Sequence, residues 1–111
     1  MELKNLKKWM IVLVNLEPTI GVEINKTRPC LIVSPNAANR HLQTVIIAPL
    51  TSTFRKIPTR YITNFNQVNG EICLDQLISI DKKRVIKLLG ELPETDRSGV
   101  NRLLREMFSE E

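Results

Sequence analysis

The sequence predicts a small, mainly antiparallel β-barrel or β-sandwich that carries one C-terminal amphipathic helix. Three observations support this fold class: a series of short apolar runs rich in β-branched residues, turn-forming residues between those runs, and a change to helical periodicity at the end of the chain. The 111 residues are enough for one compact domain with a modest core, and we expect 1–111 to form it.

The candidate strands follow one another along the chain, separated by proline, glycine or polar residues. The first three are the clearest, because their runs are strongly apolar, and they cover 10–16, 29–34 and 44–50. Weaker candidates cover 60–63, 71–74, 77–80 and 85–89. Between the second and third strands, NAANRH predicts a short turn or a single helical turn. Several short strands at such spacing are typical of a barrel or a sandwich.

The last segment has a helical period, because its apolar residues recur at i, i+3, i+4, i+7 and i+8. These residues are Val100, Leu103, Leu104, Met107 and Phe108. A proline and two acidic residues at 93–96 favour a helix start there. We predict a helix over about 93–109 that packs on the chain's own barrel, and a partner-binding helix is the alternative.

Composition excludes several classes of function. Lys and Arg outnumber Asp and Glu by 16 to 12, a mildly basic balance that fits a polyanion such as RNA or DNA without requiring one. Cys30, Cys73 and His41 do not have zinc-ligand spacing, so we expect no metal, no cofactor and two buried thiols in a reducing cytoplasm. The N-terminal apolar run is too short to span a membrane and lacks a signal cleavage site.

Two polar residues mark the ends of neighbouring strands. About ten residues join the second and third strands, which is short enough for an antiparallel hairpin. Pairing 29–34 with 45–50 places Arg28 opposite Thr51, and directly opposed residues share one face of a sheet. Pro29 biases Arg28 toward an extended backbone and is typical of a strand start.

The loops beside this pair are rich in hydroxyls and cations. The 19–27 loop carries Glu23 and Lys26, and the 51–57 loop carries further polar residues: Ser52, Thr53, Arg55 and Lys56. Cations hold anionic oxygens while hydroxyls and amides position them, so the cluster suits a phosphodiester. The alternative is a solvated loop end with a structural arginine.

Three segments, in order, resemble one known family. VLVNLEPTIGVEINKTRPCLIVSP, NRHLQTVIIAPLTS and ICLDQLISIDKKRVIKLLGEL are similar to the MazF/PemK-like toxins of bacterial toxin–antitoxin systems, over about 11–92. The resemblance implies an SH3-like β-barrel with a C-terminal helix, assembled as a homodimer. It also implies a metal-independent endoribonuclease that cuts single-stranded RNA at short motifs in the cytoplasm. The implied partner is an antitoxin whose acidic, partly disordered segment covers the RNA groove.

The family motifs assign roles to particular residues. The motif arginine and threonine, the usual catalytic pair, fall on Arg28 and Thr51, and the glutamate of the first loop falls on Glu23. The RNA-binding residues implied are Lys26, Thr27, Ser52, Thr53, Arg55, Lys56, Asp75 and Gln76. We expect the choice of RNA motif to depend on loop contacts from 19–27, 51–57 and 63–70. Asp75 either orients the site or anchors a turn. The sequence departs from the family at Lys8-Trp9-Met10, where many relatives have Arg-Gly-Asp, and at Val22 and Cys73, where some have histidine and arginine.

These residues predict how RNA would be cut. Without a metal, the ribose 2′-OH attacks the adjacent phosphorus, leaving a cyclic phosphate and a 5′-OH end. Arg28 suits the stabilisation of the phosphorane, Thr51 can bind the same group, and Glu23 is the better acid–base candidate. Two alternatives remain at this point: a barrel that binds nucleic acid or protein without cutting, and a topoisomerase poison of a related barrel family.

Overall fold

The computed structural model describes residues 5–16 and 27–110, with the backbone alone at residue 68. These residues form seven strands and two α-helices: β1 (Met10–Asn15), β2 (Thr27–Ile32), α1 (Asn36–His41), β3 (Thr44–Thr51), β4 (Arg60–Phe65), β5 (Val68–Cys73), β6 (Ile78–Asp81), β7 (Val85–Glu91) and α2 (Glu94–Met107). The prediction of a mainly β fold with a C-terminal helix is confirmed, and the sheet is a curled antiparallel half-barrel.

Strand β3 organises the sheet. The strand order is β4-β5-β3-β2-β1-β7, and β6 also pairs with β3. Strand β2 pairs with one edge of β3. The opposite edge of β3 is shared by two strands: Thr44–Ile47 pair with β6, and Leu50–Thr51 pair with β5. Pro49, which has no N–H to donate, lies between these two pairings. The end of β3 therefore lies beside β5, where the sheet curls.

The central strands are buried on both faces. In β2, Cys30 and Ile32 belong to one core cluster, while Leu31, which lies between them, belongs to a second. The same division holds in β1, where Val12 and Ile11 are on opposite faces. Two covered faces explain why these strands appear in the sequence as continuous apolar runs instead of alternating ones.

Helix α2 covers the second cluster. Val100 is fully buried, and three further residues of the predicted apolar face pack against the cluster: Leu103, Leu104 and Met107. The prediction that this helix packs on the chain's own sheet is therefore confirmed for four of the five residues of the predicted apolar face. Phe108 lies just beyond the helix and is 73% exposed. Within the described residues, no helix combines the length and the apolar character of a membrane span.

Helix α2 makes its closest approach to the sheet at strand β4. The Asp96 carboxylate accepts hydrogen bonds from Tyr61 Oη (3.0 Å to Oδ1) and from Thr63 Oγ1 (2.9 Å to Oδ2). Burial and the Asp96 contact both raise the pKa of Tyr61. One turn further along, Gly99 faces the same ring, and a Cβ at that position would lie 2.4 Å from Tyr61 Cε2. Glycine is therefore the residue that lets the helix contact the tyrosine ring.

The Gly99→Ala variant tests this close approach. In a free helix the change to alanine is favourable by about 1 kcal/mol, but overpacking costs about 1–3 kcal/mol, so we expect a net destabilisation of roughly 1 kcal/mol. Urea unfolding followed by circular dichroism measures it. The control is Ser98→Ala at the exposed neighbouring position, which should be neutral or slightly stabilising. A Gly99→Ala protein more stable than the wild type would contradict the contact.

Candidate functional site

The pairing of β2 with β3 brings the predicted arginine and threonine together. The register joins Cys30 with Pro49 and Leu31 with Ala48. Continued by two residues, it places Arg28 across from Thr51, as the hairpin argument predicts. On its other side Arg28 pairs with Val14 of β1. Arg28 is therefore paired with β1 on one edge and lies two residues before the pairing with β3 on the other.

A cavity of about 530 Å³ opens at this end of the sheet. Its lining contains five of the predicted site residues: Thr27, Arg28, Thr51, Ser52 and Thr53. The other lining residues are Pro29, Leu50, Thr63, Phe65, Asn66, Asn69, Gly70 and Leu89. Among the described lining residues, Arg28 is the one that carries a charge. The volume is within the range of small-molecule sites in proteins.

The side chains of Arg28 and Thr51 differ in how they are held. Arg28 is exposed, and its side chain makes no hydrogen bond or ion pair with any described residue. Thr51 is half-buried, and its Oγ1 accepts a hydrogen bond of 3.2 Å from the Thr53 N–H. That local bond turns the chain at the end of β3 and leaves the Thr51 hydroxyl hydrogen for another acceptor.

The other predicted residues that the structure describes lie outside the cavity lining. Arg55 and Lys56 have exposed side chains in the loop after β3, and Asp75 and Gln76 lie in a 3₁₀ turn, Leu74–Gln76, after β5. Glu23 and Lys26 lie outside the described residues, so their predicted roles remain predictions. His41 is exposed at the end of α1.

A buried carboxylate that sequence reasoning missed holds the loop after β3. Solvent does not reach Glu71, whose Oε1 accepts from the Arg55 N–H (3.1 Å) and whose Oε2 accepts from the Lys56 N–H (2.9 Å). Burial alone raises the pKa of Glu71, but the two backbone N–H groups and the Arg60 guanidinium outweigh burial and lower the pKa. Glu71 is therefore an internal anion bound by the loop.

Arg60 connects this carboxylate to the predicted site residue Asp75. Its Nε donates to Asp75 Oδ1 (2.6 Å), its Nη2 to Asp75 Oδ2 (3.3 Å), and its Nη1 to Glu71 Oε1 (3.4 Å). The hydrogen bond from Arg60 lowers the pKa of Asp75. Of the two roles considered for Asp75, this contact favours anchoring: Asp75 holds Arg60, and Arg60 holds Glu71.

The loop after β3 depends on this anchor. Lys56 has a left-handed backbone (φ 57°), which is unfavourable for a side chain other than glycine, and its N–H donates to Glu71. The residue before the carboxylate, Gly70, lies against the end of β3: a Cβ there would be 2.7 Å from the carbonyl oxygen of Thr51. The segment 70–71 thus fixes both Thr51 and the loop that follows it.

The far side of the cavity includes the segment 63–70, where the sequence predicts RNA-specificity contacts without identifying individual residues. It is formed by the β4–β5 hairpin and by β7, and it contributes Phe65, Asn66, Asn69 and Leu89. Asn66 and Gln67 form a two-residue turn with positive φ at both positions (54° and 63°), which defines a type I′ hairpin. Asparagine is favoured at such a position, so NFNQVN contained the signal for a tight hairpin.

Comparisons with known proteins place the chain in a family. The family model described as the PemK-like, MazF-like toxin of type II toxin–antitoxin systems matches residues 7–108. The chain therefore belongs to this toxin family. It is 36% identical to the endoribonuclease PemK of Escherichia coli over 97 residues, covering 82% of this chain and 73% of PemK. It is 30% identical to the endoribonuclease MazF of Staphylococcus epidermidis, covering 89% of this chain and 88% of MazF.

A solved structure confirms the fold. An endoribonuclease from a mycobacterial species, in complex with its cognate antitoxin, superposes with a TM-score of 0.77 at 26% identity, covering 91% of this chain and 92% of that one. Among the described residues, no three His, Cys, Asp or Glu side chains are grouped so that they could hold a metal ion.

The buried carboxylate makes stability depend on acid pH. The pKa values of Glu71 and Asp75 are lowered from ordinary values of 4.5 and 3.8, so their stabilising contribution is present above those values and lost as the pH falls below them. We expect the free energy of unfolding to decrease below about pH 4.5. Glu71→Gln should be less stable at pH 7 and should lose less on acidification. Acid titrations of unfolding with identical slopes for both proteins would contradict the assignment.

Proposed function

We propose that this protein is a sequence-specific, metal-independent endoribonuclease that cleaves single-stranded RNA and arrests growth as the toxin of a toxin–antitoxin module. One observation carries the proposal: in a chain of the PemK-like, MazF-like family, Arg28 and Thr51 line one cavity at the neighbouring ends of the paired strands β2 and β3. The curated relatives named above are endoribonucleases, which supports the same activity here.

The proposed reaction uses the ribose 2′-OH as the nucleophile. It attacks the adjacent phosphorus, the P–O5′ bond breaks, and the products carry a 2′,3′-cyclic phosphate and a 5′-OH. DNA lacks the 2′-OH, so the reaction itself selects RNA. Arg28, exposed and unpaired among the described residues, supplies a planar cation for the non-bridging oxygens as the phosphorane forms. The Thr51 hydroxyl donates to the same phosphate.

Proton transfer needs a further group. Arg28 is a poor base, because guanidinium stays protonated in nearly all protein sites. We assign the acid–base role to Glu23, whose carboxyl group is chemically suited to it and which matches the glutamate of the family motif in the sequence. Ser52 and Thr53 line the cavity beside Thr51 and add hydroxyl and amide donors for the RNA backbone. Arg55 and Lys56 add positive charge in the loop that follows Thr51. Lys26 is proposed as an RNA-binding residue from the family motif alone.

The proposed partners follow from charge and from the family. The net charge of +4 attracts both RNA and an acidic peptide segment. The mycobacterial relative was solved with its cognate antitoxin, which supports an antitoxin for this chain as well. We propose that an acidic, partly disordered antitoxin segment covers the groove around Arg28, that the toxin is a homodimer, and that it acts in the cytoplasm.

Replacing Arg28 tests the assignment directly. Arg28→Ala should lower the rate of RNA cleavage by roughly 100- to 1,000-fold, because it removes the charge that stabilises the phosphorane. The protein should remain folded, since the Arg28 side chain makes no hydrogen bond or ion pair with any described residue. The control is Arg40→Ala, an exposed arginine of α1 that does not line the cavity. Wild-type cleavage by a folded Arg28→Ala protein would refute the role.

The chemistry of the RNA ends tests the reaction class. We expect single-stranded RNA incubated with the purified protein and EDTA to give fragments with 5′-OH ends, which polynucleotide kinase labels without prior phosphatase treatment. Intact RNA, together with RNA binding, would favour the non-cleaving barrel. Intact RNA together with inhibition of a topoisomerase would favour the poison. Cleavage abolished by EDTA would show that a metal takes part.

A further inference from the structure

A second charged residue lies on the same face of the sheet as Arg28 and Thr51. Thr51 of β3 pairs with Glu71 of β5, and the β2–β3 register places Arg28 on the other side of Thr51. Directly opposed residues of neighbouring strands point to one face, with Cβ atoms about 5 Å apart. The proposed phosphate ligand Thr51 therefore has a cation on one side and a carboxylate on the other.

The charge of Glu71 opposes the proposed reaction. The scissile phosphate is an anion, and its negative charge increases as the phosphorane forms. A carboxylate beside Thr51 repels both states, and more strongly than in bulk water, because the effective dielectric constant near a protein is lower. Glu71 does not serve as the general base, because it is outside the cavity lining and both of its oxygens accept hydrogen bonds. Its charge therefore has to be balanced within the protein.

Arg60 balances this charge. Its Nη1 donates to Glu71 Oε1 at 3.4 Å, and the Arg60 and Glu71 side chains are only 6% and 0% exposed. Among the described residues, Arg60 is the one cation that forms an ion pair with Glu71. Removing one partner of such a buried pair leaves an uncompensated charge, whereas removing both does not.

Asp75 orients Arg60. Its carboxylate accepts from Arg60 Nε (2.6 Å) and Nη2 (3.3 Å), which leaves Nη1 directed at Glu71. The Asp75 side chain is 30% exposed, so solvent ions screen its charge, whereas solvent does not reach Glu71. Asp75 does not line the cavity, so its effect on a ligand there passes through Arg60.

Glu71 is also connected to Thr51 through the loop after β3. At the start of the loop, the Thr53 N–H donates to Thr51 Oγ1. Further along, the N–H groups of Arg55 and Lys56 donate to the Glu71 carboxylate. The cavity-lining residues 52–53 thus lie between two fixed points, and donors held in this way are preorganised for an anion.

We propose that Arg60 and Glu71 are positioning residues for RNA cleavage. Glu71 holds the loop that follows Thr51, and Arg60 cancels the Glu71 charge so that a phosphate at Thr51 is not repelled. Asp75 acts through Arg60. The inference rests on the proposed RNA cleavage, and it replaces the RNA contact implied for Asp75 with an indirect role.

A double-mutant cycle separates the two roles. The variants are Arg60→Gln, Glu71→Gln and their combination, assayed at about pH 8, where carboxylates are ionised. Affinity is measured by fluorescence anisotropy with a randomised single-stranded 2′-O-methyl RNA, which cannot be cleaved. The cleavage rate is measured in single turnover with saturating protein and unmodified RNA. The matched control is the same cycle on Arg97 and Glu91, an ion pair of 3.3 Å whose residues do not line the cavity.

Affinity reports the charge balance. Arg60→Gln should weaken RNA binding by roughly 10-fold, the effect of one unit charge at about 10 Å in a partly screened site. The combined variant should return to within about 3-fold of the wild type, because the repelling carboxylate is gone. A merely structural role predicts the opposite, since the combined variant has lost more hydrogen bonds than Arg60→Gln. A combined variant that binds as weakly as Arg60→Gln, or a control cycle with the same pattern, would overturn the charge balance.

The cleavage rate reports the position of the loop. Glu71→Gln should bind RNA as the wild type does and cleave the bound RNA roughly 10-fold more slowly, because displaced groups lose catalytic efficiency steeply. The combined variant should cleave at the same reduced rate. Bound RNA cleaved by Glu71→Gln at the wild-type rate would refute the positioning role. Urea unfolding verifies that each variant is folded under the assay conditions.

Two further variants cover the remaining cases. Arg60→Lys keeps the cation, so it should retain RNA affinity even if Arg60→Gln does not fold, and weak binding by folded Arg60→Lys would contradict the charge balance. Asp75→Asn should lower the cleavage rate in the wild type and have no further effect beside Arg60→Lys, in which the forked contact is already lost. An equal loss in both backgrounds would show that Asp75 contacts RNA directly.

The two proposals fail in different ways. A wild-type protein that leaves RNA uncut, while its variants show the expected pattern of RNA affinity, would refute the nuclease and keep the charge balance. A wild-type protein that cuts RNA, with Arg60→Gln and Glu71→Gln unchanged in affinity and rate, would refute the positioning pair and keep the nuclease.

Discussion

The register between β2 and β3 is the constraint on which the site depends. Side chains alternate across a sheet, so a slip of one residue would move Cys30 and Ile32 into the cluster that now holds Leu31. Both clusters are closely packed, and neither accepts the other's side chains without a change of volume. The same slip would separate Arg28 from Thr51. The packing of the core thus fixes the position of a cation that is itself exposed.

Glu71 fixes the loop that follows β3, in addition to the strands fixed by the register. The end of β3 is followed by exposed residues, 52–58, which have few apolar contacts of their own. The Glu71 carboxylate, on the neighbouring strand, orders this loop because it accepts hydrogen bonds from two of the loop's backbone N–H groups. Arg60 in turn holds Glu71 in place. Bonds between a charged acceptor and backbone donors are stronger than neutral ones, which suits a loop that has no core beneath it.

Most of the architecture and half of the cavity could be predicted from the sequence. The continuous apolar runs located the central strands, and the spacing from Val100 to Met107 located the helix, because both patterns follow directly from burial. The pairing of Arg28 with Thr51 followed from the short connection between their strands. Glu71 was missed because a lone acidic residue at the start of a short strand indicates a solvated face. Its partners, the N–H groups of Arg55 and Lys56, have no signature in the sequence.

The sequence predicts specificity contacts in 63–70, but it does not identify Phe65, Asn66 and Asn69 individually, for a different reason. They come from strands that are distant in sequence from Arg28, and the division of β3 between β6 and β5 brings them to it. Pattern reasoning recognises the strands, but it does not determine which edge of β3 each one joins, because antiparallel partners compete for the same edge. The cavity therefore depends on which strand pairs with each part of β3.

The two-residue turn at Asn66 and Gln67 has a consequence for how such proteins diversify. A long flexible loop changes its conformation when its residues change, so recognition and loop shape vary together. A tight hairpin with its backbone set by two positive φ angles keeps its shape while single side chains are exchanged along it. In this chain, the residues at the cavity rim can therefore be replaced one at a time over an unchanged frame. Related chains could therefore acquire new cavity surfaces in small steps, with the fold and the positions of Arg28 and Thr51 left intact.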